Sequence, residues 1–198
     1  MKYNYYIDII KERLSPTRLG HSLRVADTAL EIAEGKGLDL DKVYLTALLH
    51  DYAKELPHEQ LLMLAKENNL LTCVAEERQP DLLHGPVGAW LCSNELNIQD
   101  EEILQAIRFH TTGRVSMSPF EIVIYLADLL EPGRKYKGVA ELRSICEEDL
   151  LQGLLYAFDS TILYVLERKF LIHYLTVKAR NWLLVEMSGK TSNIGGMK

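Results

Sequence analysis

The sequence predicts an all-α fold: a single-domain helical bundle with a metal site at its centre. Three observations carry this. Apolar residues recur at three- and four-residue steps nearly everywhere, with no convincing strand alternation and no internal repeat. Capping residues, prolines and glycines punctuate the chain at helical intervals. Polar residues with metal-binding chemistry, His21, His50, Asp51, His110 and Asp128, fall on faces that are otherwise apolar, and His84 stands beside a helix start.

The first clear helix opens at "SPTRLGHSL". Ser15 can cap it, Pro16 suits its first position, and Gly35 or Gly37 can end it. Leu19, Leu23, Ala26, Leu30 and Ala33 form one stripe; Val25, Ala29 and Ile32 form another, headed by His21. A helix apolar on two faces is a central one. A second helix is expected over Asp41 to Lys54, with Val43, Ala47, His50, Asp51 and Lys54 on one face. Pro57 starts a third, which the pair Asn68-Asn69 ends. "HGPVGAWLCSNEL" reads as a loop at His84-Gly85 and a helix from Pro86. "DEEILQAIRFHTTG" is a helix capped by Asp100 and stopped near Gly113; Ile103, Ala106, Ile107 and His110 form its buried face. "SPFEIVIYLADLLEPGR" carries a capping box, Ser118 with Glu121, and turns Phe120, Ile124, Ala127 and Asp128 inward. From Gly138 to about Met187 the pattern gives two or three long helices without clustered histidines and acids.

A length of 198 residues suits one domain, or a domain with a small extension. Residues 1–187 are assigned to the domain. The end from residue 188, "SGKTSNIGGMK", has no apolar period and is expected to be a disordered tail. Hydrophobic residues at 47% and charged ones at 25% describe a soluble globular chain. A net charge of -6 argues against generic nucleic-acid binding. It leaves room for a small anionic ligand, because a local metal outweighs the global charge. Cys73, Cys92 and Cys146 are far apart and odd in number, so no disulfide framework is expected and a reducing cytoplasm is the simplest compartment. The N-terminus lacks a signal-peptide apolar region, and no apolar stretch reaches the roughly 18 residues a membrane helix needs.

The six polar residues come from five separate segments. Ligands projecting inward from facing helices are the pattern of a metal site in a bundle. Imidazole with carboxylate suits zinc, iron or manganese, and the lack of a nearby thiolate disfavours structural zinc. Two ions sharing Asp51 would use all six. Paired metals generate hydroxide at neutral pH and clamp a displaced phosphoryl group. Taken singly, the residues have plainer readings: His50-Asp51 as an internal pair, Asp128 in a salt bridge with an arginine. His58 and His173 are left to such readings. His58 lies in a polar first turn, and His173 has no acidic companion on its face. Lys54 is either a phosphate contact or an exposed lysine near a helix C-terminus. Thr111, Thr112 and Gly113 either bind phosphate oxygens or stop a helix. Arg134 either grips phosphate or is a loop charge.

His21, His50-Asp51 and Asp128 together resemble the HD-domain superfamily of metal-dependent phosphohydrolases. "HDYAK", "HGPVGAW", "HTTG" and "ADLLEPGR", in that order, resemble its bacterial YqeK-type branch over roughly residues 5 to 185. The resemblance implies symmetrical cleavage of diadenosine tetraphosphate to two ADP, with iron as cofactor in one or two ions, manganese or another divalent transition metal being an alternative. It implies His21, His50, Asp51 and Asp128 as ligands of the first ion, and His84 and His110 with the bridging Asp51 as ligands of the second. Asp51 and Lys54 are the catalytic candidates. Lys54, His84, His110, Thr111, Thr112, Gly113 and Arg134 are the substrate-binding ones. The expected partner is a dinucleoside polyphosphate or other nucleotide, with neither nucleic acid nor membrane, and a homodimer is allowed for. The HD core alone also accommodates a nucleotidase or phosphodiesterase acting on another nucleotide or alarmone, or a non-catalytic nucleotide sensor.

Overall fold

The computed structural model describes residues 3–192. Eleven α-helices follow in order: α1 (Asn4–Arg13), α2 (Pro16–Ala33), α3 (Leu40–Leu49), α4 (His58–Glu67), α5 (Val74–Arg78), α6 (His84–Glu95), α7 (Glu101–Phe109), α8 (Pro119–Leu130), α9 (Val139–Glu148), α10 (Leu150–Glu167) and α11 (Tyr174–Ser192). A 3-10 turn, Pro80–Leu83, leads into α6. No strand occurs among the described residues.

Several starts follow from capping chemistry. The Ser15 hydroxyl accepts the Arg18 N–H and opens α2 behind Pro16. Asp39, Asp100 and Asp149 carboxylates receive the first amides of α3, α7 and α10. Ser118 and Glu121 form the expected reciprocal box on α8. Such caps are worth about 1 kcal/mol each. Helix α1 was not anticipated. Tyr3 precedes it without a side-chain cap, so the sequence signal is weak, and burial of Ile10 in the core fixes it instead.

Helix α2 packs against α1, α3 and α8. Val25, Ala29, Val43, Leu48, Ile107 and Val123 belong to the core around it. Burying a side chain such as Leu48 stabilises the fold by about 1.5–3 kcal/mol. A second core joins α8 to the last three helices through Leu126, Leu142, Leu154, Phe158 and Leu183. Helix α8 is the shared wall: Phe120, Val123 and Ile124 face the first core, Ile122, Tyr125 and Leu126 the second. That explains why it is apolar nearly all round.

Two boundaries differ from expectation, and both matter to the site. Helix α3 ends at Leu49, not Lys54. The chain then tightens into turns, with Tyr52 N–H on Leu49 O, Lys54 N–H on Asp51 O and Leu56 N–H on Ala53 O. This three-residue hydrogen bonding rotates Asp51 off the α-helical path. His84 and Gly85 are helical, because the 3-10 turn runs directly into α6. Pro86 still fits, since its missing N–H falls in the unpaired first turn. At the other end of the chain, helical backbone continues to Ser192. Residues 193–198, the rest of the expected tail, lie outside the described residues.

Candidate metal centre

Five short segments converge on the bundle centre. His21 comes from the first turns of α2, and His50 and Asp51 from the break after α3. His84 starts α6, His110 caps the end of α7, and Asp128 sits in the last turn of α8. Burial is near complete, with side-chain exposures of 7% for His21, 0% for His50 and 4% for Asp51.

The imidazoles share one arrangement. Nδ1 of His50 lies 2.6 Å from Ala47 O, and Nδ1 of His110 lies 2.7 Å from Ile107 O. Nδ1 of His84 donates to Asp81 O, and Nδ1 of His21 lies 3.1 Å from Glu131 Oε1. Each Nδ1 is thus placed to give its proton outward to an oxygen, which turns each ring's Nε2 inward.

Those nitrogens meet more acceptors. Asp51 Oδ2 lies 3.4 Å from His50 Nε2 and 3.6 Å from His21 Nε2. Its other oxygen lies 3.3 Å from His84 Nε2 and 3.8 Å from His110 Nε2. Asp128 Oδ1 is 3.0 Å from His21 Nε2 and 3.8 Å from His50 Nε2. The two Nε2 atoms of His84 and His110 face each other at 2.9 Å. His21 Nε2 and His50 Nε2 are buried with no hydrogen-bond partner. A buried cage of acceptors is costly unless a cation fills it. Ligand atoms of His21, His50 and Asp51, of His50, His110 and Asp128, and of Asp51, His84 and His110 each lie within 4.8 Å of one another. The donor set thus fits one or two divalent metals, with Asp51 on both sides.

Titration follows the same pull. Burial opposes charge on His50, but Asp51 and then Asp128 outweigh it and raise the imidazole's pKa. His110 is pushed down to about 3 by burial and by the neighbouring His84 and His50. Burial would raise the Asp51 and Asp128 carboxyls, yet His50 and His84 around the one, and His21, His50 and Arg134 around the other, hold both far below the usual carboxylate range.

The predicted phosphate contacts stand around this cage. Lys54 Nζ lies 3.4 Å from His84 Nδ1. Arg134 binds Asp128 through its side-chain Oδ1 and, at 2.7 Å, its backbone oxygen. The Thr111 hydroxyl is buried and unpartnered, whereas Thr112 donates to Gly113 O at 3.0 Å. Gly113 takes φ +65°, which ends the α7 turn. Its helix-stop role is therefore real beside any ligand role.

Two site residues escaped the sequence reading. Arg18 donates to Asp51 Oδ2 at 2.8 Å. Glu131, the residue just after α8, meets His21. The signal was spacing: Arg18 precedes His21, and Glu131 follows Asp128, by one short helical step. His58 is exposed and pairs with Asp81 at 3.3 Å. His173 does have an acidic companion, from a different element: its Nε2 lies 3.2 Å from Glu76 Oε1. Cys73 joins them within 4.8 Å. In that group Leu175 N–H already occupies His173 Nδ1, so Nε2 carries the proton and offers no lone pair.

An all-helical bundle enclosing a buried His/Asp cage defines a class of metal-site proteins. The HD domain family model matches residues 18–133, and the chain belongs to that family. It is 38% identical to the symmetrical bis(5'-nucleosyl)-tetraphosphatase of Bacillus subtilis, over 88% of this chain and 94% of that one. The protein of the same name from Staphylococcus aureus is 35% identical over 88% of this chain and 90% of that one. A crystal structure from Clostridium acetobutylicum, described as a predicted HD superfamily hydrolase involved in NAD metabolism, superposes with a TM-score of 0.89. It is 40% identical and covers 93% of this chain and 97% of its own. Among the described residues, no helix is long and apolar enough to cross a membrane.

Proposed function

We propose that this protein is a metal-dependent phosphohydrolase that divides diadenosine tetraphosphate into two ADP. One observation carries the metal half: every histidine of the cage spends Nδ1 on an outward oxygen and turns Nε2 inward onto carboxylates. The substrate half is supported by the bacillary and staphylococcal relatives, whose names state symmetrical tetraphosphatase activity and whose lengths this chain spans almost completely.

In this reading His21, His50, Asp51 and Asp128 hold one ion. His84 and His110 hold a second, with Asp51 shared. Iron is the metal proposed, with manganese the alternative. A divalent metal bound there supplies Lewis acidity, polarising phosphoryl oxygens and drawing the pKa of water towards neutrality. The chain's own residues do the rest. Asp51, fixed by Arg18, orients the attacking water. Lys54 and Arg134 offset charge that develops on the phosphoryl oxygens. Thr111 offers an uncommitted hydroxyl to the phosphate chain, and the Thr112-Gly113 turn shapes its floor.

The test is a nucleotide panel incubated with protein that has been loaded with iron or manganese under reducing conditions, with products identified by mass. Rapid release of ADP alone from diadenosine tetraphosphate is expected. Turnover only of mononucleotides or alarmones would contradict the substrate. Binding without turnover would identify a sensor.

A further inference from the structure

Glu131 is a heavily committed carboxylate beside the cage, and no part of the proposed reaction uses it directly. Its side chain is 3% exposed. Oε1 faces His21 Nδ1 at 3.1 Å and Arg24 Nη2 at 3.4 Å. Oε2 accepts Arg24 Nε at 2.5 Å and Gly133 N–H at 2.6 Å. The backbone is equally tied: Glu131 O accepts Arg143 Nη2 at 3.0 Å and Arg134 N–H at 3.0 Å.

Two consequences follow from those partners. With its proton drawn to Oε1, the His21 ring has one tautomer left, the one that keeps the Nε2 lone pair towards Asp51 and Asp128. On its other side the same carboxylate closes the Glu131–Arg134 turn, which delivers the Arg134 guanidinium to Asp128. A side chain in that turn would press on the same carboxylate and guanidinium. A Cβ at Gly133 would stand 2.7 Å from Arg24 Nη2 and 2.9 Å from both Glu131 oxygens.

We infer that Glu131 is a positioning residue that links the two halves of the site, holding His21 for the metal and Arg134 for the phosphate chain. The inference rests on the metal reading above. It also explains the residue type. All the groups around the carboxylate are donors: the imidazole N–H, two guanidinium N–H groups and a backbone amide. Only a carboxylate accepts at both ends. A glutamine keeps one carbonyl and must present its NH2 to donors at the other. Turned towards His21, that NH2 would invert the tautomer and put a proton on Nε2. Turned towards Gly133, it would open the turn that carries Arg134.

The experiment is Mn2+ titration of the purified full chain against a competing chelator, with thermal melting and substrate KM measured on the same preparations. Glu131→Gln is expected to weaken Mn2+ binding about 10–100-fold and to raise KM, through the two arms separately. Glu131→Asp keeps the charge but cannot span both partners, and its affinity should fall between wild type and Glu131→Gln. A residue that only braces the fold would lower the melting temperature and leave Mn2+ affinity unchanged. A folded Glu131→Gln protein with wild-type affinity would overturn the inference. If that variant does not fold, wild-type affinity in Glu131→Asp would overturn it. Failure of the wild-type chain to bind Mn2+ at all would instead strike the metal reading itself.

Discussion

Asp51 is the residue on which most depends. Its two oxygens face different pairs of histidines, and Arg18 closes the set. Asp51→Ala should therefore abolish turnover and remove most bound metal, because it takes away the shared carboxylate and, with it, the partner of the half-buried Arg18. His21→Ala should lose one ion and retain part of the other; metal content by elemental analysis separates the two cases. His173→Ala is expected to lower stability, through the Glu76 pair, but to leave turnover within a few-fold. A folded His173→Ala protein as inactive as His21→Ala would mean that the wrong histidines were chosen. Lys54 and Arg134 make a different prediction. Removing either should raise KM or slow turnover by about ten- to a hundred-fold, the effect of about 1.5–3 kcal/mol for one charge-assisted hydrogen bond. Metal content should stay intact, and unchanged kinetics in both variants would return them to ordinary surface cations.

At the scale of elements, the helices were legible because their caps and apolar stripes are local signals. Ser15, Asp100 and the Ser118–Glu121 box act as the sequence implies. The candidate ligands were legible because a buried polar residue breaks a stripe. What the sequence did not reveal depends on packing or on tight turns. The α3 break at Leu49 is a change in hydrogen-bond register with no glycine or proline to mark it. Glu131 and Arg18 break no apolar stripe, and their partners come from other segments of the chain, so nothing local singles them out. Helix α5 is held partly from elsewhere: Glu76 accepts Thr72 N–H and Cys73 N–H at its own start and, from across the chain, the His173 ring. Burial would raise the Glu76 carboxyl, but the His173 and Thr72 hydrogen bonds outweigh it and lower its pKa from 4.5. A depressed carboxyl adds stability above its unfolded pKa and loses it as pH falls through the folded one. Melting curves below about pH 5 should thus fall more steeply for wild type than for Glu76→Gln. Parallel curves would show that this pair is not coupled to folding. The α6–α7 contact gives a geometric prediction. A Cβ at Gly85 would stand 2.7 Å from Arg108 O, a backbone atom that cannot swing away. Gly85→Ala should separate the helices that carry His84 and His110 and cost about 1–3 kcal/mol as an overpacked site. Thermal melts and Mn2+ stoichiometry read both effects.

For the molecule as a whole, the site lies where the first core meets α8, so filling it joins α2, α3, α6, α7 and α8. A ligand that binds only the folded chain stabilises it by about 2.7 kcal/mol at a hundred times its Kd. For a chain of this size that amounts to a rise of roughly 5–10 °C in Tm. Chelator-treated protein should therefore melt several degrees higher when Mn2+ or Fe2+ is restored, and Asp51→Ala should not respond. The net charge of -6 makes an anionic substrate improbable anywhere but at a cationic centre. The cage, Lys54, Arg18 and Arg134 provide one. The measurement that tests the central claim most directly is hydrolysis of diadenosine tetraphosphate in oxygen-18 water, followed by mass spectrometry. Attack on the second phosphorus from one nucleoside predicts ADP as the sole product, with one label on the terminal phosphate of half the ADP molecules. AMP and ATP in equal amounts would place the attack one phosphorus away and contradict the symmetrical reading.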